Sequence, residues 1–423
     1  MEKASVELSR VGPPLKSDVA GYKETNEFPE GGWGWLVVAS SFLIHFIVLG
    51  LQYTFGVYQQ HYAAIVFPGV KESKISFIGT LGSSILFIFG LVSGRLADMY
   101  GFKRIQFLGN VILCGGLIIA SFASEVWHLY LSQGVLYGLG GSLCFFPAVS
   151  VPSQWFTKRR GLATGIAVSG GGIGGLALAP ITRSLISKVG FRWSLRILGL
   201  GGFVLLSIAS ILLRTRIQSK PNTPILDFLL FRNPRFTVLF LIGMIVSFGY
   251  LVPFFFLPNY VLYTGLSVEM GSLLLGLLNG SSALGRVVLG FLADGMGRIN
   301  SLFLSLFVGT LSIFLLWSFA TGFTALLCFV LLYGFTAGGF VSLFPVVASE
   351  VNGHAGIEKL ATVNGFLYVS IGIGSLIGIP IAGVILDASQ QYGHFSYIPT
   401  IMYSGAMMLL GSILAGVLKF LKA

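Results

Sequence analysis

Charge is what this 423-residue sequence has least of: Asp, Glu, Lys and Arg make up 10% of it, against 55% hydrophobic residues. A soluble fold carries roughly 25% charged residues, so these few cannot clothe a water-facing surface of this size, and length alone does not count the domains. Cysteine is scarce as well. Cys114, Cys144 and Cys328 lie inside apolar runs, an odd set that builds no disulfide framework and matches no metal-ligand spacing. Each reads as a small core residue, and no metal or other cofactor is expected. Catalytic patterns are missing too: there is no Ser/His/Asp arrangement, no His-Glu-x-x-His and no phosphate-binding loop, which argues against an enzyme. The first 32 residues lack the apolar core of a signal peptide and read, with Pro13, Pro14 and Pro29, as a disordered cytoplasmic tail. Basic residues outnumber acidic ones by 26 to 15, for a net charge of +11. They stand in short clusters between apolar runs and not in a basic-aromatic domain, so nucleic acid is excluded as a partner. The solvent is a lipid bilayer.

What the chain does have is long apolar runs. A helix needs about 20 apolar residues to cross the hydrocarbon core. Twelve runs qualify, near 33–58, 74–97, 105–124, 128–152, 161–187, 191–213, 236–263, 269–293, 301–320, 323–348, 359–386 and 397–419. They are too long for barrel strands and do not alternate with period two, so the fold class is an all-α membrane protein with 12 transmembrane helices. Lys103, Arg104, Lys158, Arg159, Arg160, Arg214, Arg232 and Arg298 fall in one alternate set of loops. By the positive-inside rule that side and both termini are cytoplasmic. The plasma membrane is the default location, with the vacuolar membrane as the alternative.

The halves repeat. Gly94-Arg95-Leu96-Ala97-Asp98 returns as Gly290-Phe291-Leu292-Ala293-Asp294, Leu136-Tyr137-Gly138 as Leu332-Tyr333-Gly334, and Leu162-Ala163-Thr164 as Leu360-Ala361-Thr362, at offsets of 196 to 198 residues. The expected organisation is a tail over 1–32, a six-helix bundle over 33–213, a basic cytoplasmic linker over 214–235 and a second six-helix bundle over 236–423. Two pseudo-symmetric bundles place a solute site between them. The apolar piece 225–231 of the linker is expected to lie along the membrane surface.

The loop from Gly94 through Asp98, Gly101, Lys103 and Arg104 resembles the signature loop of the major facilitator superfamily, and 290–298 resembles a degenerate copy. Gly94 is expected to let helices approach closely, Gly101 to make the tight turn, and Lys103 and Arg104 to hold the loop in the cytoplasm. Asp98 suits a helix N-terminus. The resemblance implies that this N-terminus begins the eleventh span near Lys359 and that Asp294 faces the fifth near Arg160, in contacts that form in one conformation and break in the other. Two further segments, Pro29-Glu30-Gly31-Gly32-Trp33-Gly34-Trp35 and Trp155-Phe156-Thr157-Lys158-Arg159-Arg160-Gly161, resemble the hallmarks of the monocarboxylate transporter family, in its fungal branch. Without the family, Trp33 and Trp35 are interfacial anchors. Gly165 and the glycines of 170–175 are surfaces for close helix packing.

Polar groups at membrane depth are costly and mark function. Arg286 lies eight residues before Asp294, about 12 Å along a helix, and Asn279, Ser282 and Arg286 make one polar stripe at i, i+3 and i+7. A planar guanidinium accepts a carboxylate bidentately, and the resemblance implies that an arginine of this span binds the substrate carboxylate. The chain departs from the mammalian members twice: Ser282 replaces an acidic residue and Tyr53 a lysine, so the family's proton chemistry does not carry over. His45, Gln52 and Gln59 share a face of the first span. His45 reads either as a titrating group or as a buried, hydrogen-bonded one. Tyr250, Asn259 and Tyr263 stand on a seventh span kinked by Pro253 and Pro258. Asn364 and Tyr368 pair on the eleventh, and Phe344 walls the cavity from the tenth.

These readings converge on a monomeric alternating-access transporter of a small organic anion, a monocarboxylate by resemblance, with protons as the candidate coupling ion. The alternatives are an uncoupled facilitator or exporter of a larger metabolite, riboflavin-like or secondary, and a transporter-shaped nutrient sensor, which would need a longer cytoplasmic extension.

Overall fold

Inside a bilayer the backbone must close its hydrogen bonds within each segment, and a helix does so. The computed structural model of the protein describes residues 31–152, 155–156, 160–214, 228–351, 360–391 and 396–421, and the regular elements among them are all helical. The first helix, α1, is Trp33–Val66. The second, α2, is Glu72–Ile88 followed, after a bend of 47°, by Gly90–Ala97. Next come α3 (Phe102–Ala120) and α4 (Val126–Val149). The continuous stretch Arg160–Leu212 is broken at Gly190 into α5 (160–189) and α6 (191–212). The second set runs α7 (Pro234–Tyr263), α8 (Val268–Met296), α9 (Arg298–Phe319), α10 (Phe323–Val351), α11 (Leu360–Gln391) and α12 (Ile398–Phe420). Ten described helices are long and apolar enough to cross a membrane, and the bent α2 makes an eleventh. Gly190, at φ 81 and ψ 164, divides the longest of them into two crossings. Twelve spans result, as the apolar runs require.

The breaks follow from local chemistry. Gly101 (φ 90, ψ 137) and Gly297 (φ 87, ψ 139) make the same left-handed turn after α2 and α8, a conformation that strains any side chain. In α7 the helix interrupts at Leu251, just ahead of Pro253, because the ring displaces the preceding turn. Packing repeats as the sequence does. Tyr137 donates its hydroxyl to Val48 O and Tyr333 donates to Tyr250 O. Gly138 sits on the carbonyl of Gly82, and Gly334 on that of Leu278. Large apolar side chains such as Phe291 and Ile211 are exposed, a liability in water and the normal state of a lipid-facing helix.

Several expectations need correction. A side chain at Gly94, at its copy Gly290 or at Gly165 would meet nothing within 4 Å, so none of them mediates close helix contact. In α2 that role falls one turn earlier, to Gly90, whose missing Cβ admits the Phe146 ring. Cys114 and Cys144 are buried, but Cys328 is exposed. Phe228–Arg232 forms a short 3-10 helix whose Phe231 packs on Phe236, Phe240 and Phe366, so this end of the 225–231 piece turns into the protein. The tail and the linker over 215–227 lie outside the described residues, as do Lys158, Arg159 and Lys359 and the side chains of Asp98, Arg160, Asp294 and Asn364.

Candidate functional site

Two long seams join the first six helices to the last six, α5 against α8 and α2 against α11, and α1 also meets α7. The glycines of 170–175 build the first. Gly170 and Gly174 press on the backbone of Phe42 and Phe46 in α1, while Gly172 and Gly175 press on Asn279 in α8. A Cβ at Gly172 would lie 2.6 Å from the Asn279 carbonyl oxygen, and one at Gly171 would lie 3.2 Å from Arg286 Nη1. Because these positions carry no side chain, α8 comes close enough to bring a guanidinium into the seam.

That guanidinium is the chemical centre of the seam. Arg286 is 1% exposed. Its Nη1 donates to Val168 O at 2.8 Å and its Nη2 to the Tyr53 hydroxyl at 3.2 Å, while Nε is buried with no partner. No carboxylate among the described residues pairs with it. Tyr53 stacks at a tilt on Phe254, 5.3 Å between centroids, and Tyr250 packs on the same ring at 5.5 Å. A buried cation without a counter-ion is expensive, and an anion with free oxygens is the group that completes it.

The structure brings only some of the sequence candidates to this point. Tyr53, Arg286 and Tyr250 converge; Asn279, two turns from Arg286 on the same helix, is fully buried beside Gly175, donates to Leu275 O and has an unpartnered Oδ1. Ser282 is buried too, but its backbone abuts Gly338 of α10. His45 donates Nδ1–H to Ser41 O at 2.6 Å, meets Phe145 edge-on at 5.2 Å and leaves Nε2 unpartnered. Tyr368 of α11 stacks on Phe87 of α2 at 5.7 Å, across the second seam. Gln52 is tied within the first six helices, donating to Gly79 O. Phe344 packs on Phe340 beneath Gly243. Asn259 is elsewhere altogether, at the end of the molecule where α1 meets α2.

At that end lies a group the sequence reading passed over. Glu72 Oε1 accepts from Gln59 Nε2 at 2.8 Å and from Asn259 Nδ2 at 2.7 Å. Asp387 of α11 accepts the backbone N–H groups of Glu72 and Ser73 at 3.1 and 3.2 Å. The available signal was an acid abutting each end of an apolar run, in a chain with only 15 acids. At the opposite end, Lys103 donates to Ile211 O at 3.0 Å, a cation on a helix C-terminus, and Arg104 is exposed. The two hallmark segments meet each other. Trp35 packs on Phe156 at 4.9 Å, the Arg214 guanidinium sits 3.9 Å from the Trp33 ring, and Trp155 donates to Arg214 O. Gly31 precedes this contact in a bend.

Comparison with known proteins agrees with this architecture. The family model described as Major Facilitator Superfamily matches residues 34–357. The chain is 35% identical to the MFS-type transporter pynF of Aspergillus niger, over 88% of this chain and 87% of that one. It is 31% identical to the aspyridones efflux protein apdF of Emericella nidulans, over 98% and 82%. In fold it is similar to the nucleoside transporter NupG, with a TM-score of 0.72 at 16% identity, covering 92% of this chain and 100% of the other.

Proposed function

The chain belongs to the Major Facilitator Superfamily, and from that membership we propose that it exports an acidic organic metabolite by alternating access, with Arg286 holding the solute's carboxylate. The observation that carries this reading is the incomplete guanidinium: fully buried in a seam between the two sets of helices, bonded to one carbonyl and one hydroxyl, with Nε unpartnered. A carboxylate in its place would supply both the missing charge and the missing acceptor, and charge-assisted bidentate bonds are the strong ones. Tyr53, which stands where the resembled family has a lysine, leaves that positive charge to Arg286 alone. Arg286 is 1% exposed, so a solute reaches it only when a seam parts, as alternating access requires. Efflux of a metabolite larger than lactate is supported by the similarity to the Emericella aspyridones efflux protein.

The test uses proteoliposomes loaded in turn with lactate, an aromatic carboxylic acid and its methyl ester. The protein is expected to release the aromatic acid and not the ester. Arg286→Ala should slow release by about a hundredfold, the loss of a charged hydrogen-bonding partner worth roughly 3 kcal/mol, while Arg286→Lys retains part of it. Release of lactate in preference to the larger acid would make the protein a monocarboxylate carrier. Equal release by Arg286→Ala would remove the arginine from the mechanism.

A further inference from the structure

The second seam ends in a cluster whose geometry the transport of an anion does not use. Asp387, carried on α11, presents one oxygen to Glu72 N–H and the other to Ser73 N–H, so it caps the N-terminus of α2 from across the seam. Both oxygens are engaged by donors that favour a carboxylate, at a helix end that favours negative charge. Glu72 projects beside it and receives two amide N–H groups on Oε1, from Gln59 of α1 and Asn259 of α7. These contacts join α1 and α2 to α7 and α11 and close this end of the molecule. They form the floor of a vestibule of about 490 Å³, lined also by Gln60, Lys71 and Leu262.

Two features mark Glu72 as the place for a proton. The first is Asp387: two carboxylates this close cannot both ionise without repulsion. The second is Gln59, whose side chain is 0% exposed and whose Oε1 has no hydrogen-bond partner. A carboxylic acid and a primary amide can satisfy each other completely, with amide N–H to acid C=O and acid O–H to amide C=O. Half of that pair is present, and the orphaned Gln59 oxygen is the acceptor that a protonated Glu72 needs. From α1 and α7 Glu72 meets amides. Among the described residues, the titratable groups facing it are Asp387 from α11 and the Tyr397 phenol at the start of α12, and Lys71 is exposed in the vestibule just before α2.

We propose that Glu72 is a proton-binding site, and that this end of the molecule closes when Glu72 takes a proton from the vestibule and opens when it releases one. Release leaves two adjacent negative charges, and separating α2 from α11 rehydrates both. The proposal rests on the chain being a transporter whose two sets of helices part, but not on which solute it carries.

The test therefore needs no solute. Spin labels at Ile65→Cys and Met270→Cys, both exposed at this end, are placed in the full chain with Cys328→Ser, in lipid nanodiscs. Their separation is measured by pulsed electron resonance from about pH 5.5 to about pH 8.5. A short distance is expected in acid and a longer one in alkali, the open-to-closed ratio approaching a factor of about ten per pH unit for one released proton. Glu72→Gln, a permanent neutral mimic, should stay closed throughout. Asp387→Asn, which removes the opposing carboxylate and so the repulsion that drives the parting, should open less in alkali than the parent. On the unlabelled protein, the infrared carbonyl band of a protonated carboxyl should vanish over the same interval and be missing from Glu72→Gln, a readout that does not depend on how the variants fold. A pH-independent distance in the parent, or a Glu72→Gln protein that opens like it, overturns the proposal, as does a band that titrates outside the interval of opening.

Discussion

The two seams between the helix sets are built on one plan and finished with different chemistry. In each, the first turn of a helix carries a glutamate: Glu72 on α2 and Glu269 on α8, 197 positions apart, within the spacing that separates the other repeats. Each helix packs along a partner from the other set, α11 and α5. Yet Glu72 is enclosed by two amides and a second carboxylate, whereas Glu269 is 72% exposed and faces Arg183 at 3.7 Å. Deeper in, the α5–α8 seam is backbone on backbone and contains the unpaired Arg286. The α2–α11 seam also brings backbones together, with Gly372 on Ser84 O and Gly383 on Ser73 Cα, but at the corresponding depth it carries the Phe87 and Tyr368 rings. The two halves share the skeleton and its glycine turns but carry different charged groups in their seams: a buried cation in one, a pair of acids in the other.

The largest expected effect tests whether the first seam depends on bare backbone. Gly172→Ala places a methyl 2.6 Å from a backbone carbonyl and 2.8 Å from the Ala283 side chain, neither of which can turn aside. We expect about 1–3 kcal/mol of destabilisation from overpacking, read as a lower melting temperature in detergent, and loss of solute release. Gly365→Ala, in the other seam, meets only the far end of Leu91, which can change rotamer, and should cost much less. Equal costs would mean that a rigid backbone neighbour and a yielding side chain resist a methyl alike.

An effect of similar size separates the seams by rescue. Tyr53→Phe removes the hydroxyl that accepts from Arg286 Nη2 and leaves a buried charged donor unmet, at about 1–3 kcal/mol. Because a solute carboxylate would fill the same vacancy, adding the transported acid should recover most of the lost melting temperature. The acid should not rescue Asp387→Asn, whose defect lies at the end of the other seam. Failure of the acid to rescue Tyr53→Phe would place the solute away from Arg286.

These contrasts mark what a sequence can express about such a molecule. The spans, the repeat, Gly101 and Gly297 were legible because membrane thickness and left-handed backbone restrict residue choice directly. Arg286 was legible because a cation at membrane depth has few innocent explanations, and the structure then joined it to Tyr53, the position at which the resembled family differs. Glu72 and Asp387 were not, since each stands at the rim of an apolar run, where an acid is unremarkable, and only folding brings residues 315 positions apart into one hydrogen-bonded group. Gly94 shows the opposite: a glycine in a repeated motif suggests close packing, but a side chain there would meet nothing within 4 Å among the described residues.

The smallest expected effect decides whether burial or mere position makes the acid of the second seam responsive. Glu269 shares the helical position of Glu72, but its partner Arg183 has 20% of its side chain exposed and Glu269 itself is mostly in solvent. An exposed pair at 3.7 Å is screened by salt and adds little. Glu269→Gln should therefore leave the melting temperature unchanged and keep the opening of the Glu72 end at the same pH. The check is the spin-label titration repeated with that substitution, with Glu72→Gln beside it. If Glu269→Gln flattens the titration as Glu72→Gln does, the summed charge of this end governs the opening. If it leaves the curve in place, the response belongs to the amide-lined niche, and the two seams differ by the enclosure of one carboxylate.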